Sequence, residues 1–394
     1  MASEQWNDDI AYAMTPLMLV LWPLGVWPLQ VYNIYSLIRC VVTTCCMSII
    51  VILPSIELYL GCTDAEKNVD ALMLICCGIL AMMKMICFRI YASNFTKNYS
   101  SALNDYFMIE NEEQRAIMHR HALIGRTLLC SLISVSYFDC GIYGLVPFLG
   151  SNDFNQTNIT SEGIILEYTI PSRCALKYLN APNMHKIYCF VELLAMLVAS
   201  TSNYGNDILF LHVALHICGQ VKILKSKLIN FDVAGPRVYD RFYMLIQKHS
   251  HLLKMTKILA NAISLILLMQ LFVSSILLCI IGFQFILALK VNDITMTLKS
   301  FMVLNVFLTQ ITIYSFVGDY LKSQIEEVGT FIYQSIWYDL PGTLTKNLTF
   351  IIMRAQSPVQ FQAGNFIVVN LMTYTNILKT SASYLSVLRV MVEP

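Results

Sequence analysis

The sequence predicts an all-α fold: a polytopic membrane protein with seven transmembrane helices. Three observations predict it. Of 394 residues only 13% are charged, whereas 57% are hydrophobic and the mean hydropathy is +0.61; an ordinary soluble domain is roughly 25% charged. Apolar runs of about 20 residues, the length a helix needs to cross hydrocarbon, recur along the chain. Most Lys, Arg, Asp and Glu fall between those runs. The 26 basic and 25 acidic residues are too few to clothe a soluble surface of this size, and a formal net charge of +1 gives no basic excess for tracking phosphates. Soluble enzymes and nucleic-acid binders are thereby excluded.

Taken in order, residues 10–29 are apolar but interrupted by Pro16, Pro23 and Pro28 and carry Trp22 and Trp27. Proline breaks the ladder and tryptophan favours headgroups, so this segment is expected at the membrane interface. The leader MASEQWNDD is acidic and unlike a signal peptide. Spans are predicted over 39–60, 69–91, 123–146, 186–218, 257–289, 296–317 and 363–391. The fourth and fifth are longer than a bilayer requires, so their helices should protrude into water. The basic stretch 220–256 and the segment 318–337 have helical period and should pack with those overhangs as a helical bundle. The expected organisation is an N-terminal cytoplasmic or interfacial segment (1–38), six spans (39–317), an anchoring or assembly segment (318–362) and a last span (363–394).

Orientation follows from the basic residues. Arg115, Arg120, Lys222, Lys225, Arg237 and Lys248 lie on the side shared with the N-terminus, which holds far more Lys and Arg than the side with Lys67, Arg173 and Lys290. The N-terminus is therefore expected in the cytoplasm and the C-terminus outside, opposite to a G-protein-coupled receptor. Asn155 and Asn158 sit in glycosylation triplets of the outer third loop; Asn94, Asn98 and Asn347 fall inside and should stay bare. Most of the 13 cysteines lie in apolar runs as small hydrophobes. Cys62, Cys174 and Cys189 fall in or near outer loops, where one disulfide is possible and its pairing stays open. No internal repeat is present, which disfavours a repeat-built transporter.

The last span has a face of its own. At 100° per residue and with Val387 at zero, Thr373 falls at about +40°, Asn376 at about −20°, Thr380 at about +20°, Ser383 at about −40° and Met391 at about +40°. Such a stripe must face water or another helix, since polar groups facing lipid are costly. Val387 and Met391, one turn apart, would form an apolar ring able to close a pore by dewetting. The other reading is helix-to-helix adhesion through small hydroxyl and amide contacts.

A small apolar ligand would need a cavity among the outer halves of the helices. Candidate lining residues are Met73, Cys76 and Cys77; Ser136, Tyr137, Cys140 and Tyr143; Phe190, Leu193 and Met196; and Phe301 with Asn305. Each could equally be helix packing. Asp139, Lys84 and Glu192 are charges within spans and are expected to be paired or functional. His212 and His216 share a face at metal-ligand spacing, but no third ligand follows and no metal is expected. His119 and His121, in a basic loop, are expected in water. No phosphate-cradling loop, nucleophile elbow or cofactor motif occurs, so no enzyme and no cofactor are expected.

One stretch resembles a known family. Gly318-Asp-Tyr-Leu321, Ser323, Val328, Tyr333 and Trp337, then Lys346, Met353-Arg354, Gln356, Pro358, Ala363-Gly364, Phe366, Leu371 and Ser383-Tyr384, are similar to the C-terminal signature of insect odorant receptors. Asn370 stands where serine is more usual, and Gln362 where threonine often precedes the Ala-Gly pair. The resemblance implies a ligand-gated, non-selective cation channel in the plasma membrane of a sensory dendrite. Its implied partners are a volatile small molecule, membrane lipid, permeant cations and the odorant co-receptor Orco, with which it would form a heterotetramer around a pore made by each last helix. It also implies an odorant pocket in the outer halves of the helices and, at Val387 and Met391, the gate positions of the co-receptor. A gustatory-type channel of the same superfamily is the nearest alternative, and a metabotropic seven-helix receptor a more distant one.

Overall fold

The structure, a computed structural model, describes residues 2–61, 65–149, 168–176, 184–233, 236–335 and 337–392. Eleven helices are present among them: α1 (Ala2–Leu21), α2 (Ile34–Leu60), α3 (Ala65–Ile90), α4 (Ala92–Phe107), α5 (Glu112–Leu149), the single turn α6 (Arg173–Leu176), α7 (His185–Ile229), α8 (Val238–Val291), α9 (Ile294–Gln334), α10 (Gly342–Ala355) and α11 (Leu371–Val392). The strands β1 (Gln362–Ala363) and β2 (Ile367–Val368) pair antiparallel as a short hairpin before α11. Asn155 and Asn158 lie outside the described residues.

Six helices, α2, α3, α5, α7, α8 and α9, are long and apolar enough to cross a membrane. The 22 residues of α11 rise about 33 Å, enough to span hydrocarbon; its hydroxyls, Asn376 and Lys379 are what lower its apolarity. The protein is a nearly all-helical, multi-pass membrane protein. α7, α8 and α9 run for 45, 54 and 41 residues, so the protrusion expected of the long spans occurs and extends to the sixth.

α7 is the central post. It packs against α5, α9, α8, α3 and α2, with α1 and α4 at one end, and every residue from Ser202 to Val221 is buried. Where α7, α8 and α9 overhang, α4 and α10 pack against them. Polar pairs close this end: Lys225 Nζ donates to Glu327 Oε2 at 2.6 Å and to Gln324 Oε1 at 2.8 Å, and Asp105 accepts from Lys248 and lies 3.2 Å from His216 Nε2. Burial alone would push the Asp105 carboxyl up, but these hydrogen bonds and charges hold it below its ordinary value.

Four expectations need correction. The N-terminal segment is a helix that continues through Pro16, and Ala13, Met14, Leu17 and Leu21 bury against the bundle. Trp27, expected at headgroups, is buried with its ring edge on Tyr99 at 5.4 Å; Trp22 stays exposed. His121 is buried rather than solvated, with Nε2 3.1 Å from Tyr320 Oη, because the overhang of α9 covers it. The last span begins at Leu371 and not at 363, because Gly364 and Asn365 both take positive φ and turn the chain into the hairpin. A Cβ on Gly364 would stand 2.6 Å from Leu268 Cδ2, so glycine also lets the hairpin lie against α8. Of the three candidate disulfide cysteines, Cys174 is disulfide-bonded and Cys189 is free; Cys62 lies outside the described residues.

Candidate functional site

A cavity of about 120 Å³ opens between α3, α5, α7 and α9, with Ile50 of α2 at its side. These are the four spans expected to supply it. Of the twelve candidate residues, Met73, Cys77, Ser136, Cys140, Tyr143 and Met196 line it. Leu74 and Gly78, Asp139, Ala199, Ser200, Asn203 and Tyr204, and Val303, Val306 and Phe307 complete the wall. Spacing of three and four residues puts Ala199, Ser200, Asn203 and Tyr204 on the α7 face of Met196, and Val303, Val306 and Phe307 on one face of α9.

The other candidates lie elsewhere. Cys76 packs against the core without reaching the cavity, and Leu193 fills the space beside Gly144. Phe190 is 66% exposed, and Tyr137 faces outward with its Oη 2.7 Å from Thr201 Oγ1. Asn305 donates to the Phe301 carbonyl of its own helix at 2.8 Å, while Phe301 lines a separate open groove between α8 and α9.

A fully buried polar network lies beneath the cavity. Lys84 Nζ is 2.7 Å from Asp207 Oδ1 and donates to Asn203 Oδ1 at 2.6 Å. Gln310 and Tyr314 of α9 donate to the same Asp207 carboxylate, and Gln270 of α8 donates to Gln310 Oε1 at 2.9 Å. The expected pairing of Lys84 is thus met, and its partners tie α3, α7, α8 and α9 together. Asn203 belongs to both structures: it lines the cavity and accepts from Lys84. Buried charges are tolerated only when compensated in this manner.

At the opposite end of the cavity, Glu192 sits one turn from Met196 on α7. It accepts from the Ile170 amide at 3.1 Å and from Ser172 Oγ at 2.7 Å. Glu57 Oε2 accepts from the Cys174 amide at 2.8 Å. Two buried carboxylates therefore fasten residues 168–176 across the ends of α2 and α7. His212 stacks on Tyr99 at 6.0 Å and His216 faces Asp105, so both histidines have packing roles.

α11 is packed on one side only, by α8 and α9. Tyr374, Ile377, Leu378, Ser381 and Leu385 face that support, whereas Asn376, Thr380, Ser383 and Val387 are exposed. Thr373 is half-buried and donates to the Val368 carbonyl at 2.6 Å, closing the hairpin onto the helix. Met391 belongs to the last turn of α11.

Several signature residues act on this junction. Gly318 lets the chain cross α9 closely, since a Cβ there would stand 2.6 Å from the Val369 carbonyl oxygen. Asp319 Oδ2 accepts from the Leu371 amide at 2.8 Å, and Asn370 Oδ1 from the Thr373 amide at 2.8 Å, so both cap the first turn of α11. Asn370 does this as a serine would, which explains why that departure is tolerated.

Comparison with known proteins places the whole arrangement. The solved structure of the insect olfactory receptor OR5 from Machilis hrabei is similar to this chain with a TM-score of 0.77, 14% identity and coverage of 95% of this chain and 97% of that one. The same receptor in complex with eugenol gives 0.76, 16% identity and coverage of 96% and 97%. In sequence the chain is similar to Odorant receptor 13a of Drosophila melanogaster, 26% identical over 51% of this chain and 52% of that receptor. It is also similar to Odorant receptor 9a of that species, 26% identical over 66% of this chain and 65% of the receptor. These matched stretches thus span about half to two thirds of the relatives' lengths. The family model described as 7tm Odorant receptor matches residues 64–382, and the chain belongs to that family.

Proposed function

We propose that this chain is the odorant-binding subunit of a ligand-gated, non-selective cation channel in the plasma membrane, oriented with its N-terminus in the cytoplasm. A volatile molecule occupies the cavity between α3, α5, α7 and α9. The subunit assembles with the odorant co-receptor as a heterotetramer, and α11 of each subunit lines the pore. Asn376, Thr380 and Ser383 offer polar groups to permeant cations, and Val387 with Met391 forms the apolar constriction. Thr373 stands at the mouth of this stripe, held by the hairpin. The bundle at the far ends of α7, α8 and α9 anchors the subunits to one another.

The observation that carries this reading is the division of labour on α9. Its Val303, Val306 and Phe307 line the cavity, and further along the same helix Gly318 and Asp319 hold the start of α11. A ligand that favours one position of α9 therefore acts on the pore helix through a continuous rigid element. The test is whole-cell current from cells expressing the chain with the co-receptor, without it, and with G-protein signalling blocked, while volatiles are applied. A fast cation current that needs the co-receptor and ignores the block supports the proposal. A response abolished by the block identifies a metabotropic receptor instead.

A further inference from the structure

Among the described residues Asp139 is the one cavity-lining side chain with a formal charge, and no Lys, Arg or His lines the cavity with it. Its Oδ1 is buried and has no hydrogen-bond partner. Other charges near this level are engaged elsewhere: Lys84 with Asp207, Glu192 with Ile170 and Ser172, Asp70 with Gln284, and Lys299 over the Tyr143 ring at 5.0 Å. Two polar neighbours around the cavity are engaged as well. Ser200 Oγ contacts Cys140 Sγ at 3.2 Å, and Asn203 Oδ1 accepts from Lys84. An acidic oxygen shielded from water, among apolar groups and without a partner, is a costly arrangement that a ligand carrying a positive N–H donor would relieve.

We propose that the cavity selects small apolar amines, with Asp139 as the residue that recognises the nitrogen. This rests on the reading of the cavity as the odorant site. An amine that enters as the neutral base takes the carboxyl proton, the O–H bond breaking as the N–H bond forms. One that enters as ammonium meets the carboxylate directly. Both routes end in the same ion pair, with the hydrocarbon tail against Met73, Leu74, Met196 and Phe307. An alcohol of equal size makes only a neutral hydrogen bond there, which is the weaker kind, and a hydrocarbon makes none.

The experiment measures dose–response curves of co-receptor-dependent current for n-hexylamine, hexan-1-ol and heptane, in the native chain and in Asp139→Asn and Asp139→Glu. The native receptor should respond to hexylamine at a concentration roughly tenfold below that for hexanol. Asp139→Asn should abolish that difference, and Asp139→Glu should restore part of it. Surface labelling establishes that each variant reaches the membrane; should Asp139→Asn fail to do so, the Asp139→Glu shift and the native amine-to-alcohol ratio decide. A native receptor that prefers hexanol, or an amine preference that survives Asp139→Asn, overturns the amine assignment and leaves the odorant-channel reading standing. Silence to every volatile, with the subunit at the surface, overturns both.

Discussion

α7 and α11 are both helices of one membrane bundle, yet they meet opposite surroundings. From Ser202 to Val221 α7 is buried on every side, and its polar groups Asn203 and Asp207 are satisfied within the chain. Among the described residues α11 is supported mainly by α8 and α9 and leaves Asn376, Thr380 and Ser383 exposed. A polar group in lipid must find a partner. In α7 that partner is Lys84 or Gln310 of the same chain; in α11 Ser383 donates back to the Lys379 carbonyl of its own helix at 3.0 Å, whereas Asn376 and Thr380 face outward, to water or to another subunit. The same residue chemistry therefore means rigidity in one helix and an unfinished interface in the other.

The largest effect should come from breaking the compensation inside α7. Asp207→Ala leaves Lys84 buried without its counter-charge, which typically costs about 3–5 kcal/mol. Loss of surface expression and a large drop in Tm of the detergent-solubilised protein are expected. The double change Lys84→Met with Asp207→Leu should recover much of that loss, and a double variant as impaired as the single one would show that the pair does more than neutralise itself.

Next in size is the junction of α11. Gly318→Ala places a Cβ against the Val369 carbonyl oxygen, and overpacking of this kind costs about 1–3 kcal/mol. Because the strain falls where α9 holds α11, current amplitude should fall more than surface expression does. Equal losses in both would reduce Gly318 to a folding residue.

A smaller effect is expected at the far end of α7, where Asp105 meets His216 and Lys248. Burial raises the Asp105 carboxyl and its partners more than reverse this, so its folded value lies below its unfolded one. The stability it contributes is present above the ordinary carboxylate range and is lost as pH falls through that range towards the folded value. Tm measured against pH should therefore drop on acidification in the native protein and drop less in Asp105→Asn. Parallel curves would remove Asp105 from the account.

The helices supplying the cavity were legible in the sequence because the order of apolar runs dictates which spans can meet. About a third of the lining was legible too, through Met73, Cys77, Ser136, Cys140, Tyr143 and Met196. Asn203, Tyr204 and Phe307 were not, since rotation and depth of one helix against another depend on tertiary packing that periodicity does not encode. Lys84 announced itself as a charge needing a partner, but Asp207 lies 123 residues away and nothing local connects them. The hairpin at 362–368 was hidden because an apolar run looks alike as helix or strand. The adjacent Gly364 and Asn365, both at positive φ, were the turn signal that hydropathy overlooks.

The smallest expected change in stability, and the most direct test, lies on the exposed face of α11. Cysteine is introduced singly, as Asn376→Cys, Thr380→Cys or Val387→Cys on the stripe and Ile377→Cys or Leu385→Cys on the packed face, in the chain expressed with the co-receptor. Stability should change by no more than about 0.5 kcal/mol at the exposed positions. A charged thiol reagent applied during the odorant response should then reduce current at Asn376, Thr380 and Val387 and leave it unaltered at Ile377 and Leu385. Modification confined to the packed face, or no change at any stripe position despite labelling, would contradict a pore lined by α11.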